Sequence, residues 1–153
     1  MTFRVIALEA EAFAPFFAME PDELARHGGE RIQAGPLYPC RVGLEDSRGG
    51  EEALLINYEH QPAATPFRSR HAIFVLAGSR TAQPQPGVVP RCMASRPLSV
   101  RSFDAEHRMI DADLAIGVPA EALFERLLAD PRAAYLQAHY ARRGCFAARV
   151  ERA

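Results

Sequence analysis

The alternation of apolar and polar positions divides the chain into short elements separated by Gly, Pro and Asp. "FRVIAL", beginning at Phe3, reads as a strand, while "EAFAPFFAM" sets Phe13, Phe16 and Phe17 on one helical face with Pro15 tolerable only in a first turn. "PDELARHGG" predicts a short helix opened by Pro21 and stopped at Gly28. In "CRVGLE", Cys40, Val42 and Leu44 face one way and Arg41 and Glu45 the other; after the turn "DSRGGEE", the strand "ALLINYEH" completes a hairpin. "HAIFVLA" from His71 is apolar almost throughout, as in a strand covered on both faces.

"LSVRSFD" and "RMIDADLAI" predict a second hairpin around Ala105-Glu106. "PAEALFERLLAD" is the clearest helix: Pro119 opens it, Leu123, Phe124, Leu127 and Leu128 form its buried stripe, and Asp130-Pro131 ends it. "AAYLQAHY" into "CFAARVE" makes the last hairpin. The proline-rich run from Gly78 to Arg91 reads as a long surface loop within one domain spanning residues 1–153. The expected fold class is therefore α+β: a single antiparallel-rich sheet of about seven strands built from hairpins, with helices packed on one face.

Composition changes this picture little. The 153 residues are 48% hydrophobic and 24% charged with a net charge of −1, enough for one ordinary core and without the charge bias that suits nucleic acid or an acidic membrane. All 18 basic residues are Arg, a pattern read first as GC-rich coding bias, with bidentate anion recognition as the functional alternative. The N-terminal "MTFRVIALEA" lacks the form of a signal peptide, and no apolar run suits a membrane helix, so a cytoplasmic location is expected. Cys40, Cys92 and Cys145 are widely spaced, which argues against a disulfide framework or structural zinc; no metal and no cofactor is implied.

Three stretches together carry a family resemblance: "YPCRVGLEDSRGGEEALLINYEHQP", "PLSVRSFDAEHRMIDAD" and "AAYLQAHYARRGCFAARVER". They resemble the bacterial family called domain of unknown function 1203, single-domain proteins of about this length. The "YPCR … NYEHQP" segment is the most specific part. The resemblance implies a soluble bacterial protein and transfers no activity.

Candidate chemistry sits in four places. Tyr58-Glu59-His60 cannot act as a contiguous triad, because strand alternation sends Glu59 to the face opposite Tyr58 and His60. Pairing Leu44 with Leu54 and Val42 with Ile56 would instead set Cys40 opposite Tyr58, one step from His60. Such a thiol–imidazole pair suits a nucleophile, although a small buried apolar position is the more ordinary role for a free Cys such as Cys40. In the last hairpin, pairing Leu136 with Val150, Ala138 with Ala148 and Tyr140 with Phe146 puts Gly144 at a left-handed position. Tyr135, Gln137, His139, Cys145 and Arg149 then share the other face, as a pocket wall or a solvated sheet surface.

Asp104, Asp111 and Asp113 lack the spacing of a calcium loop, and an ion pair between Arg101 and Asp111 explains them more simply. Arg68, Arg70 and His71 could hold a phosphate or carboxylate, or line a solvated turn. Three functions stay open. The first is a domain binding a small molecule, an anion among the candidates, through Tyr58, Arg68, Arg70, His139 and Cys145. The second is a thiol-dependent enzyme using Cys40 with His60, and the third a noncatalytic interaction or homo-oligomerisation module.

Overall fold

In the computed structural model, which describes residues 2–153, strand pairing departs from the expected hairpins at two places, and the first departure splits the sheet in two. The eight strands are β1 (Phe3–Ile6), β2 (Gly29–Gln33), β3 (Glu52–Gln61), β4 (Ser69–Leu76), β5 (Leu98–Phe103), β6 (Met109–Ala115), β7 (Tyr135–Tyr140) and β8 (Phe146–Arg152). They form an antiparallel five-stranded sheet, in the order β1-β8-β7-β5-β6, and an antiparallel three-stranded sheet, β2-β3-β4. A single seven-stranded sheet is not formed.

The reason lies in "CRVGLE". Leu44 takes a left-handed φ of 50°, so this stretch turns instead of extending, and Cys40 makes only an isolated bridge to Phe74. The partner of β3 is instead "GERIQ", whose charged residues hide its strand character: Arg31 lies opposite Leu54 and Gly29 opposite Ile56. The pairing that would have set Cys40 against Tyr58 is thus absent. Strand β4 is covered less fully than its composition suggests, for Ala72 is exposed while Ile73 and Val75 are buried.

Helix α1 (Ala14–Phe17) carries Pro15 in its first turn, and α2 (Pro21–Arg26) ends as Gly28 takes φ 75°. Leu24, Phe13, Leu54, Ile56, Ile73 and Val75 form the core of the smaller sheet. Between the sheets, the loop from Gly78 onward leads through the single turn α3 (Arg91–Ala94). The larger sheet is backed by α4 (Ala120–Leu128), whose buried Leu123, Phe124, Leu127 and Leu128 pack with Phe3, Val100, Leu136 and Val150. This helix matches its apolar stripe because one face of a 3.6-residue repeat is all that a sheet can cover.

The face of the larger sheet away from α4 is covered by the end of β3. A bulge in β8 shapes that face: Leu136 pairs with Val150 and Ala138 with Ala148 as alternation requires, but His139 then pairs with Phe146. Ala147 is the extra residue, so Phe146 turns onto the His139 face instead of following Ala148. Tyr140 accordingly bonds through its N–H to the Cys145 carbonyl, and Gly144 takes φ 78° in the turn.

Candidate anion-binding cavity and the polar layer between the sheets

Strand parity sends Tyr135, Gln137 and His139 of β7 and Arg101 and Phe103 of β5 toward the smaller sheet. This face is not solvated: Tyr135, Gln137 and His139 are all buried. Tyr58 and His60 arrive from β3, with ring centroids 6.1 and 5.5 Å from Phe146, and the His60 ring is stacked on it. Gln137 Nε2 donates to the His60 carbonyl at 2.8 Å, which leaves its Oε1 to accept from His60 Nδ1, also at 2.8 Å. Gln61 Nε2 donates to the Tyr135 hydroxyl at 2.8 Å, and that hydroxyl bonds His107 Nδ1 at 2.8 Å. Arg149 lies over the Tyr135 ring at 3.7 Å and pairs with Glu151.

His139 is the most enclosed member. Its Nδ1 donates to the Gly144 carbonyl at 3.2 Å, and its Nε2 is buried without a partner. Burial chiefly, with Arg101 and His60 beside it, lowers its pKa to about 3. Burial also lowers that of His60, Arg101 adds to the effect, and the bond to Gln137 opposes it. Both imidazoles are neutral at physiological pH.

The sulfur of Cys40 lies elsewhere. It accepts from the Leu76 and Gly43 N–H groups at 3.3 and 3.4 Å and meets Ser79 Oγ at 3.3 Å, within the core that includes Val42 and Ile56. His60 is not among its hydrogen-bond partners. Arg68 forms an ion pair with Glu59 at 3.0 Å, which lies on the exposed side of β3, and Arg70 bonds the side chain of Asn57. Asp111 and Asp113 pair with Arg126 of α4 and not with Arg101, because their register opposite Ser102 and Val100 aims them to the helix side. Asp104 caps its own turn, accepting from the Glu106 and Arg108 N–H groups. Among the described residues, no three of His, Cys, Asp and Glu converge as metal ligands.

Of the candidate site residues named from sequence, Cys145 alone lines a cavity of about 500 Å³ beside the β7–β8 turn. Arg41, Arg96, Arg142 and Arg143 line it with Tyr38 and Tyr140, and no acidic residue does. Arg41 is only 1% exposed. Its Nε donates to the Phe146 carbonyl at 2.6 Å, Nη1 to the Pro39 carbonyl at 2.5 Å and Nη2 to Cys145 Sγ at 3.1 Å. Its guanidinium carbon stands 4.9 Å from the Tyr140 ring centroid, and that of Arg96 5.4 Å from the same ring.

Arg96 is offset by Asp46 at 2.8 Å, an ion pair without hydrogen-bond alignment at Oδ1. Arg41 has carbonyls, a sulfur and a ring but no carboxylate, and Arg142 and Arg143 make neither ion pair nor side-chain hydrogen bond among the described residues. The Tyr140 hydroxyl, whose pKa burial raises well above the usual value, donates to Cys92 Sγ at 3.7 Å and stays protonated. The cavity thus holds an excess of fixed positive charge in a partly desolvated setting, where it attracts anions more strongly than surface charge would. The signals were present in sequence as "PCR" and "ARRG", but they converge only because the β7–β8 turn folds back over the loop carrying Arg41.

These features define an α+β protein of two antiparallel sheets with an arginine-lined cavity beside their junction. The model of the family described as protein of unknown function (DUF1203) matches residues 37–152, and the chain belongs to that family. No curated protein and no solved structure matches it. No helix among the described residues is long and apolar enough to cross a membrane.

Proposed function

We propose that this protein binds a small anionic molecule, a carboxylate or phosphate, in the cavity lined by Arg41, Arg96, Arg142 and Arg143. The observation that carries the reading is Arg41: a guanidinium buried without a carboxylate, in the wall of a cavity with three further arginines and no acid. A buried charge is costly unless it is paired, and an anion in the cavity supplies the missing partner. Arg142 and Arg143, exposed on the turn and without ion pair or side-chain hydrogen bond among the described residues, add attraction at the entrance, so their replacement should leave the fold intact.

Thermal denaturation with phosphate, sulfate, acetate and benzoate at matched ionic strength tests the proposal. A ligand at a hundred times its Kd stabilises by about 2.7 kcal/mol. We expect at least one oxyanion to raise Tm over chloride, and Arg142→Gln/Arg143→Gln to abolish most of that rise. Equal shifts in wild type and the double variant would overturn the reading.

A second reading, self-association, has its own observation. Leu114, Ile116 and Val118 are exposed along β6 and the segment after it, and β6 is an unpaired edge of the larger sheet. Sedimentation velocity of wild type against Leu114→Lys/Ile116→Lys tests it, with a dimer lost in the variant as the expected outcome.

A further inference from the structure

The geometry of the cavity mouth points to an amphiphilic ligand: we infer that the bound oxyanion is carried on an apolar body, and that Leu37 closes over that body. This rests on the anion-binding reading and specifies its ligand class. The cavity is much larger than a bare oxyanion and of the size that takes an organic molecule. Beside the arginines and the hydroxyl-bearing Tyr38, Ser95 and Tyr140, part of its wall is apolar, formed by Pro36, Leu37, Pro39, Phe74 and Pro97.

Leu37 carries the argument further. It is 66% exposed, the most exposed of the large apolar side chains among the described residues, and it sits at φ 62°. Leucine rarely adopts a left-handed φ, because its Cβ crowds the backbone there, whereas glycine takes it freely. The surroundings impose the conformation: Leu37 N–H donates to the Ser47 carbonyl at 2.9 Å, and Arg96 Nη2 donates to the Leu37 carbonyl at 2.8 Å. Ser47 then fixes the next residue, accepting from the Tyr38 N–H at 2.8 Å and donating to the Gly35 carbonyl at 2.5 Å. The position thus combines a strained backbone with an apolar side chain left in water, and neither serves the core.

Both features make sense if the isobutyl group has a partner in the cavity. Strained residues held by their surroundings occur at ligand clamps, and an exposed apolar group at a pocket rim is covered when an apolar ligand enters. Arg96 links the two halves of the ligand site. The same side chain lies against the Tyr140 ring, pairs with Asp46 and holds the Leu37 carbonyl, so the apolar rim and the charged wall share one support.

The test is isothermal titration of the full chain with inorganic phosphate and phenyl phosphate, and with acetate and benzoate. Wild type and Leu37→Gly are compared, since glycine accepts the φ of this position. We expect the aryl anions to bind about tenfold or more tighter than the bare ones in wild type, the scale on which apolar pocket contacts discriminate. In Leu37→Gly that advantage should shrink severalfold while phosphate and acetate affinities hold. Bare and aryl anions binding equally, or an aryl advantage unchanged by Leu37→Gly, would overturn the inference and leave anion binding standing. If no anion binds but benzyl alcohol does, anion binding itself fails and the inference with it.

Discussion

The two buried polar regions flanking β7 and β8 handle the same problem in opposite ways. In the layer between the sheets, Gln137 serves both the side chain and the carbonyl of His60, Tyr135 serves Gln61 and His107, and both imidazoles are neutral. Most polar groups there are matched, so the layer joins two sheets; His139 Nε2 is buried without a partner, and Arg101 makes neither ion pair nor side-chain hydrogen bond among the described residues. Around Arg41 the charges are not matched: one buried, one part-buried and two exposed arginines face one carboxylate. A closed network is what a fold needs to hold together, whereas a surplus of like charge beside an open volume is what a ligand needs to be held. That contrast, more than the presence of His or Cys, separates the structural polar cluster from the candidate site.

The sharpest way to break the comparison is Gln137→Leu. It strips partners from the part-buried imidazole N–H and carbonyl of His60, so it should destabilise by about 1–3 kcal/mol in urea unfolding. Its response to anions, corrected for the lower baseline, should match wild type. An intact stability with a lost anion response would mean that the roles assigned to the two regions are reversed.

His139 gives the next effect, through pH. Its folded pKa of about 3 lies below that of an unfolded histidine, about 6.5. The unfolded chain therefore binds a proton that the folded one refuses. The His139 contribution to stability is full above about pH 6.5 and is lost as pH falls toward about 3, by roughly 1.4 kcal/mol per unit. Protonation would place a cation beside Arg101, with His60 and His71 also near. Wild type minus His139→Leu, measured by urea unfolding at pH 7, 6, 5 and 4, should show that slope. Parallel curves would contradict the neutral, enclosed imidazole.

The smallest expected effect is at Arg68. Its ion pair with Glu59 is exposed to water and screened, so Arg68→Gln should change neither stability nor anion response measurably. A reduced anion response in that variant would relocate the site to the β3–β4 loop.

Alternation along the chain determined more of the local structure than of the site. Pro119, the Leu123–Leu128 stripe and Asp130-Pro131 define α4 by themselves, because a helix needs only its own periodicity, its start and its stop. Leu136–Val150 and Ala138–Ala148 were legible for the same reason, as was the left-handed Gly144. The split into two sheets was not, because an alternating "CRVGLE" and a charged "GERIQ" compete for one strand edge. Only the turn at Leu44 and the packing of Leu24 against Gly29 decide between them. One bulge residue, Ala147, then sends Phe146 to the His139 face, a change of side that periodicity cannot register. The candidate site depends on distance in space alone. Arg41, Arg96, Arg142 and Arg143 come from three separate loops and turns, and each reads in sequence as an ordinary surface arginine. It is the tertiary fold that buries Arg41 away from any carboxylate and draws the others to the same cavity, since charge gains its meaning from what desolvates it and what is left unpaired beside it.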